Sequence, residues 1–374
     1  MYNYCSVCLL PKTKPYIKFD KYGKCSACIF HEKKNIKNNS KNKIDWKKRK
    51  TEFDILIKKI KKIKAPFYDV CVPVSGGKDS ITQVSHLLNK KLRILAVNID
   101  YGIKTTIGHQ NLSRVTKMGA NLITYRPDLR LHKKILRISF LKFGDPDLMS
   151  HCMLHALPIR IAIELKVPMI LLGENAALEY SGSTSINEKK MSLKWFENYA
   201  SNKGMTPKKF SKLFKIPYEN LKMYDLPSMT DLKKTHPVFC SYFFKWSSEN
   251  NLKIAKKFGF KSLKRNAEGT YRSYVGIDEK INRIHQYFKL LKFGYGRATD
   301  HACEDIRNNK ISRKKGIELV KKYDRVKLSN YFINDFIKFI NIDLKTFTKT
   351  LQKYKNKKIW FKNNKQLIKK YEIQ

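Results

Sequence analysis

Ser75-Gly76-Gly77-Lys78-Asp79-Ser80 follows the apolar run Phe67-Tyr68-Asp69-Val70-Cys71-Val72-Pro73-Val74 and precedes the helix-like segment Ile81 to Asn89. A strand, a glycine-rich turn and a helix in that order make a phosphate cradle. The two glycines let backbone approach an anion closely, the helix N-terminus contributes unpaired N–H groups and the positive end of its dipole, and Ser75, Ser80 and Lys78 add donors. The spacing differs from G-x-x-x-x-G-K-[ST], which excludes a kinase-type P-loop. The competing reading is a plain Ser/Gly turn that only joins strand to helix.

Outward from this turn the rhythm is strand, helix, strand. Leu92 to Asp100, Asn121 to Tyr125 and Val167 to Gly173 read as further strands, with helical patterns at about Thr106 to Met118, Leu131 to Phe143 and His151 to Lys166. Short, nearly all-apolar strands alternating with helices predict an α/β fold, a parallel sheet covered by helices on both faces. Ligands of such sheets sit beyond the C-terminal strand ends. Three polar clusters fall there: the turn at 75–80, Asn98 to Asp100, and Gly173-Glu174-Asn175.

The expected organisation is a zinc ribbon at 1–30, a basic linker and amphipathic helix at 31–65, the α/β core at 66–182, an irregular insertion or lid at 183–240 and a mainly helical substrate or partner region at 241–374. Helical patterns in that last region run at about Lys245 to Phe258, Asp278 to Lys292, Ser312 to Tyr323 and Leu344 to Lys355. The ribbon rests on Cys5-x2-Cys8 and Cys25-x2-Cys28: four thiolates at this spacing close a tetrahedron around Zn²⁺ and leave no open position for catalysis. The other reading is four unligated cysteines.

The 374 residues carry 78 Lys+Arg against 31 Asp+Glu, a formal charge of +47. Such a field attracts nucleic acid, anionic lipid or phosphorylated substrates. The basic residues are mostly lysines spread among Asn and Ile with no Arg-rich tract, so a solvated surface is the simpler reading and nucleic acid is not the expected partner. No uninterrupted apolar stretch is long enough for a membrane span and the first residues lack a signal-peptide pattern, so the expectation is a cytoplasmic protein whose cysteines are ligands or core residues.

S-G-G-x-D-S after a strand resembles the PP-loop of the ATP pyrophosphatases (adenine nucleotide alpha hydrolase-like). These enzymes split ATP between its α and β phosphates and pass AMP to a substrate oxygen. The likeness implies donors for pyrophosphate at Ser75, Gly76, Gly77, Lys78 and Ser80, and Mg²⁺ held by Asp79, Glu174 and Glu179, hard carboxylate oxygens at the ends of the first and fourth strands. Asn98 and Asp100 are placed to approach the nucleoside. Asp79 as a helix cap and Glu179 as an ordinary loop carboxylate are the alternatives.

Gly173-Glu174-Asn175-Ala176-Ala177-Leu178-Glu179-Tyr180-Ser181-Gly182, Lys292-Phe293-Gly294-Tyr295-Gly296-Arg297-Ala298-Thr299-Asp300 and the two C-x-x-C pairs are similar to the N-acetyl sugar amidotransferase family over nearly the whole chain. Some members act on lipopolysaccharide precursor sugars. The resemblance implies conversion of an acetamido group to acetamidino, on a nonulosonic, pseudaminic-type acid such as occurs in flagellin glycosylation or on a related surface-glycan sugar. ATP adenylates the amide oxygen, ammonia attacks the activated carbon, and Lys78 with Mg²⁺ stabilises the developing charge. A separate glutaminase subunit is the implied ammonia source. Arg297 and Asp300 would grip the sugar; as a bland alternative they brace their own turn.

His151-Cys152-x2-His155 looks metal-like, but two or three ligands without a fourth read as core or cleft lining. Cys71 reads as strand packing; Cys240, Cys303, His236 and His301 are too dispersed to assign. A tRNA-modifying PP-loop enzyme (thiolase or lysidine synthase type) and a non-enzymatic zinc-ribbon nucleic-acid adaptor are the rival functions.

Overall fold

A computed structural model of the chain describes residues 3–35, 44–180, 189–200, 204–363 and 366–369. Its centre is a five-stranded sheet of β1 (Val70–Pro73), β2 (Ile94–Ile99), β3 (Asn121–Tyr125), β4 (Met169–Leu172) and β5 (His236–Phe239), in the order β3-β2-β1-β4-β5. Every neighbouring pair is parallel; Val70 of β1 lies opposite Ile94 of β2 on one side and Met169 of β4 on the other. The winding therefore reverses between β1 and β4, and a crevice opens where their C-terminal ends diverge.

The sheet is covered on both faces, as the apolar strands require. Residues of β1 alternate between two cores. Val70 and Val72 face α2 (Trp46–Lys62), α3 (Lys78–Leu88) and α4 (Thr106–Lys117) through Phe53, Ile57, Ile81, Val84 and Leu112. Cys71 faces α5 (Leu129–Phe143) and α6 (Leu148–Glu164) through Leu136, Phe140, Ala156 and Leu157. An N-terminal helix, α1 (Ser26–Asn35), precedes them.

Several expectations need correction. β3 is an edge strand, Ile123 is 37% exposed, and the strand is not buried on both faces. β5 has no counterpart in the sequence reading; its four residues, one of them proline, offer too short a run. Residues 189–200 and 204–235 are not irregular: short helices, among them Pro207–Phe214 and the 3₁₀ turns Tyr218–Tyr224, bury Trp195, Phe196, Phe210 and Leu221 in the core of α5 and α6. Residues 181–188 and 201–203 of that stretch, with Ser181 and Gly182, lie outside the described residues, as do 36–43 of the linker. The glycine-rich turn at 293–301 is a helix break. Gly294, at φ +75°, ends the helix Ile281–Phe293, and Gly296 caps the helix Arg297–Arg307, so Arg297 and Asp300 stand on its first turn. A helix at Asn330–Ile340 was not anticipated. Among the described residues no helix is long and apolar enough to cross a membrane.

Candidate active site

The turn after β1 is braced from within. Ser75 N donates to Ser80 Oγ at 3.3 Å, Gly77 N to Ser75 Oγ at 3.2 Å, and Ser80 Oγ to the Gly77 carbonyl at 3.1 Å. Gly76 sits at φ +92°, where a Cβ would meet the Gly108 carbonyl oxygen of α4 at 2.6 Å; only glycine fits. No side chain caps α3, so its first amides stay open to an anion. Lys78 is buried and pairs with Asp79 at 2.6 Å, while Asn251 Nδ2 holds the other Asp79 oxygen at 2.8 Å.

The chain leaving β4 forms the opposite lip. Glu174 accepts from Tyr180 OH at 3.1 Å, and burial, then the charge of Asp79, raises its carboxyl above the ordinary value. A buried carboxyl held beside the charge of Asp79 offers hard oxygen ligands of the kind a divalent cation takes. Glu179, the third residue the sequence offers to Mg²⁺, is engaged by Lys34 of α1 at 2.7 Å. Asn175 turns inward, where its Oδ1 accepts from Trp195 Nε1 at 2.9 Å. Asn98 and Asp100 end β2 away from this cavity: Asp100 pairs with Arg126 and accepts from Gly102 N at 2.9 Å, and Asn98 Nδ2 reaches only Thr124, at 3.5 Å. The structure thus brings Ser75, Lys78, Asp79, Ser80, Gly173, Glu174 and Glu179 to one cavity and leaves Gly76, Gly77, Asn98, Asp100 and Asn175 off its lining.

That cavity has a volume of about 960 Å³, and its far wall comes from the C-terminal region. Asp300 pairs with Lys289, not with Arg297; burial opposes its charge, but Lys289 holds the carboxyl below its usual range. The first turn carrying Arg297 is pinned by buried Asp324, which accepts from Gly296 N and Ala298 N at 2.8 Å and from Thr299 Oγ1 at 2.5 Å. Arg297 faces the cavity with no ion pair among the described residues. Arg272, 5% exposed, is clamped between Glu304 and Asp305 at 2.7 Å each.

His151 and His155, expected as core or cleft lining, do line the cavity; sequence reasoning missed the third histidine beside them, His285. His285 Nδ1 lies 2.8 Å from Asp145 Oδ1, and His151 Nε2 lies 3.2 Å from Asp147 Oδ2; the two rings stand perpendicular with centroids 5.3 Å apart. Both carboxylates are buried, at 7% and 8% exposure. Burial works against the charge on His285, but Asp145 outweighs it and raises the imidazole above its ordinary value. His155 is pushed down to about 3 by burial and packs edge-on against Trp195. Partners 140 residues apart leave no spacing signal.

Cys5, Cys8, Cys25 and Cys28 converge: their sulfurs lie within 4.8 Å of one another, with Cys5–Cys28 at 3.9 Å and Cys8–Cys25 at 3.7 Å. A tetrahedron with Zn–S bonds of about 2.3 Å has edges of about 3.8 Å, which the Cys5–Cys28 and Cys8–Cys25 separations match, so the cluster suits Zn²⁺. Hydrogen bonds from Cys25 and Cys28 pull Cys5 down to about 7 and Cys8 well below its usual value, while Cys28 is driven far up; a cation taking all four as thiolates removes that conflict. The ribbon docks on the helix Arg297–Arg307: Leu9 and Leu10 pack with Ala302, Cys303 and Ile306, and Leu9 N donates to Cys303 Sγ at 3.2 Å. Lys14, Tyr16 and Lys34 of this docked segment line the cavity.

Residues 268–373 match the family described as LPS biosynthesis protein WbpG-like, C-terminal domain. No curated protein matches the chain. Similar solved structures include the NMN synthetase of Francisella tularensis (12% identity, TM-score 0.36, covering 80% of this chain and 98% of that one). The NAD+ synthetase of Burkholderia pseudomallei is another (10% identity, TM-score 0.31, covering 84% and 92%).

Proposed function

We propose that the protein is an ATP-dependent amidotransferase of surface-glycan biosynthesis, converting the acetamido group of an N-acetylated sugar to acetamidino. The acceptor we infer is a nonulosonic, pseudaminic-type acid or a related sugar. One observation carries the reading: the PP-loop and the first turn of the helix Arg297–Arg307, which lies within the WbpG-like segment, face the same cavity. A phosphate cradle on one wall and an unpaired arginine on the other suit a nucleotide and an anionic acceptor side by side.

The α3 amides, Ser75, Ser80 and Lys78 would hold the leaving pyrophosphate, and Arg297 with the Lys289–Asp300 pair would orient the sugar. Mg²⁺, when bound by Asp79 and Glu174, would neutralise phosphate charge. Adenylation turns a poor amide leaving group into AMP, after which ammonia displaces it; no enzyme nucleophile is needed. Ammonia would arrive from a separate glutaminase subunit. A thiolase-type sulfur relay would need a thiol at the cavity, and no cysteine lines it.

The test is pyrophosphate release with ATP, ammonium and either an N-acetylated nonulosonic acid or bulk tRNA. Sugar-dependent release with a product about one mass unit lighter, O replaced by NH, is expected. Release dependent on RNA, or none with any acceptor, would overturn the reading.

A further inference from the structure

We propose that His285 is the proton acceptor for the attacking nitrogen, with Asp145 as its positioning residue. The inference rests on the amidination reading and adds to it the residue that manages the second step.

The geometry is that of an oriented base. Asp145, fixed between α5 and α6, takes Nδ1 of His285 at 2.8 Å, so Nε2 is the ring nitrogen left to the cavity that His285 lines. The imidazole belongs to the helix Ile281–Phe293 and the carboxylate to the sheet domain, so the dyad forms only where the two regions meet. His285 stands one turn before Lys289, whose partner Asp300 shares a helical turn with Arg297. A base at that position sits beside the groups assigned to the sugar.

The chemistry calls for such a group. When ammonia attacks the adenylated amide, its lone pair forms the new C–N bond, the C–O bond to AMP breaks with its electrons leaving on AMP, and the product is an amidinium. One N–H proton must leave the nitrogen on the way, and His285 Nε2 receives it. The charged and titratable groups around the ring are Asp145, Asp147, Lys289 and His151. The two carboxylates outweigh burial and Lys289, and they keep the imidazole basic enough for an ammonium-like nitrogen.

The full chain with ATP and the sugar separates the steps. ATP–pyrophosphate exchange without ammonium reads adenylation; amidine formation with ammonium reads the whole reaction. In His285→Gln, amidine formation at neutral pH should fall about 100-fold more than exchange, and added imidazole should recover part of it. In Asp145→Asn the acid limb of the amidine pH–rate profile should move to lower pH, a change that a purely structural role would not produce. Equal loss of exchange and amidine formation in a folded His285→Gln, or an unmoved limb in Asp145→Asn, would overturn the role of His285 alone. Absence of exchange in the wild-type protein would overturn the amidination reading and this role with it.

Discussion

Lys34 donates to both carboxylate oxygens of Glu179, at 2.7 and 2.8 Å, and so ties the cysteine-bearing N-terminus to the chain leaving β4. The side chains are 5% and 16% exposed. Removing one partner leaves the other charge recessed and alone, at a cost of about 3 kcal/mol. Lys34→Met should therefore destabilise the protein in urea unfolding more than the double variant Lys34→Met/Glu179→Gln. A single variant no worse than the double would show that the pair contributes little.

Lys78→Ala tests the phosphate cradle. Lys78 is buried against Asp79 in the first turn of α3, and its loss removes a cation and leaves Asp79 facing Glu174. Sugar-dependent pyrophosphate release should drop at least about 100-fold, while circular dichroism shows that the variant still folds, with some loss of melting temperature from the unpaired Asp79. Release at the wild-type rate would refute the role given to Lys78.

Local signals made the floor of this site legible and left its walls hidden. The run ending at Val74, two glycines and a helix state the β1–α3 cradle in consecutive residues, and β2 and β4 announce themselves as apolar runs. The four cysteines were equally readable, since each pair folds within one turn. The far wall is assembled by tertiary packing: Lys34 meets Glu179 and Asp145 meets His285 across 145 and 140 residues, and neither pair has a periodic or spacing signature. Arg297 and Asp300 were found as residues, but the helix they begin was masked by the glycines that cap it.

Removing zinc should loosen one wall of the cavity. Leu9, Leu10 and Ala27 share a core with Ala302, Cys303 and Ile306, and the cysteine cluster shapes the loops that present them. Zinc analysis should give about one ion per chain, the capacity of one four-thiolate site. Chelation or Cys8→Ser should expose residues 3–35 to protease and raise the KM for the sugar more than that for ATP. Equal protease resistance with and without metal would count against a structural zinc.

Asp324→Ala should unpin Arg297. The buried carboxylate accepts from three amides and one hydroxyl at the start of the helix Arg297–Arg307, and its loss strands them, at about 2 kcal/mol. The expected result is a lower melting temperature together with a raised KM for the acceptor. Unaltered acceptor KM in the folded variant would show that Arg297 does not orient the sugar.

Glu174 supplies a pH test with a definite sign. Its carboxyl is raised above the ordinary value by burial and then by Asp79. Below the unfolded-state value of about 4.3 both states hold the proton and the contribution to stability is fully present. As pH rises through the raised folded-state value, the folded site must ionise beside Asp79, and the contribution is lost. Glu174→Gln is neutral throughout, so its melting temperature relative to wild type should climb between acid and mildly alkaline pH. Excess Mg²⁺ at the alkaline end should narrow the gap by raising the wild type more than the variant, because the ion neutralises the two carboxylates only where both are present. A gap independent of pH would show that Glu174 ionises without penalty, and one that Mg²⁺ leaves unchanged would remove Asp79 and Glu174 as the metal-binding pair.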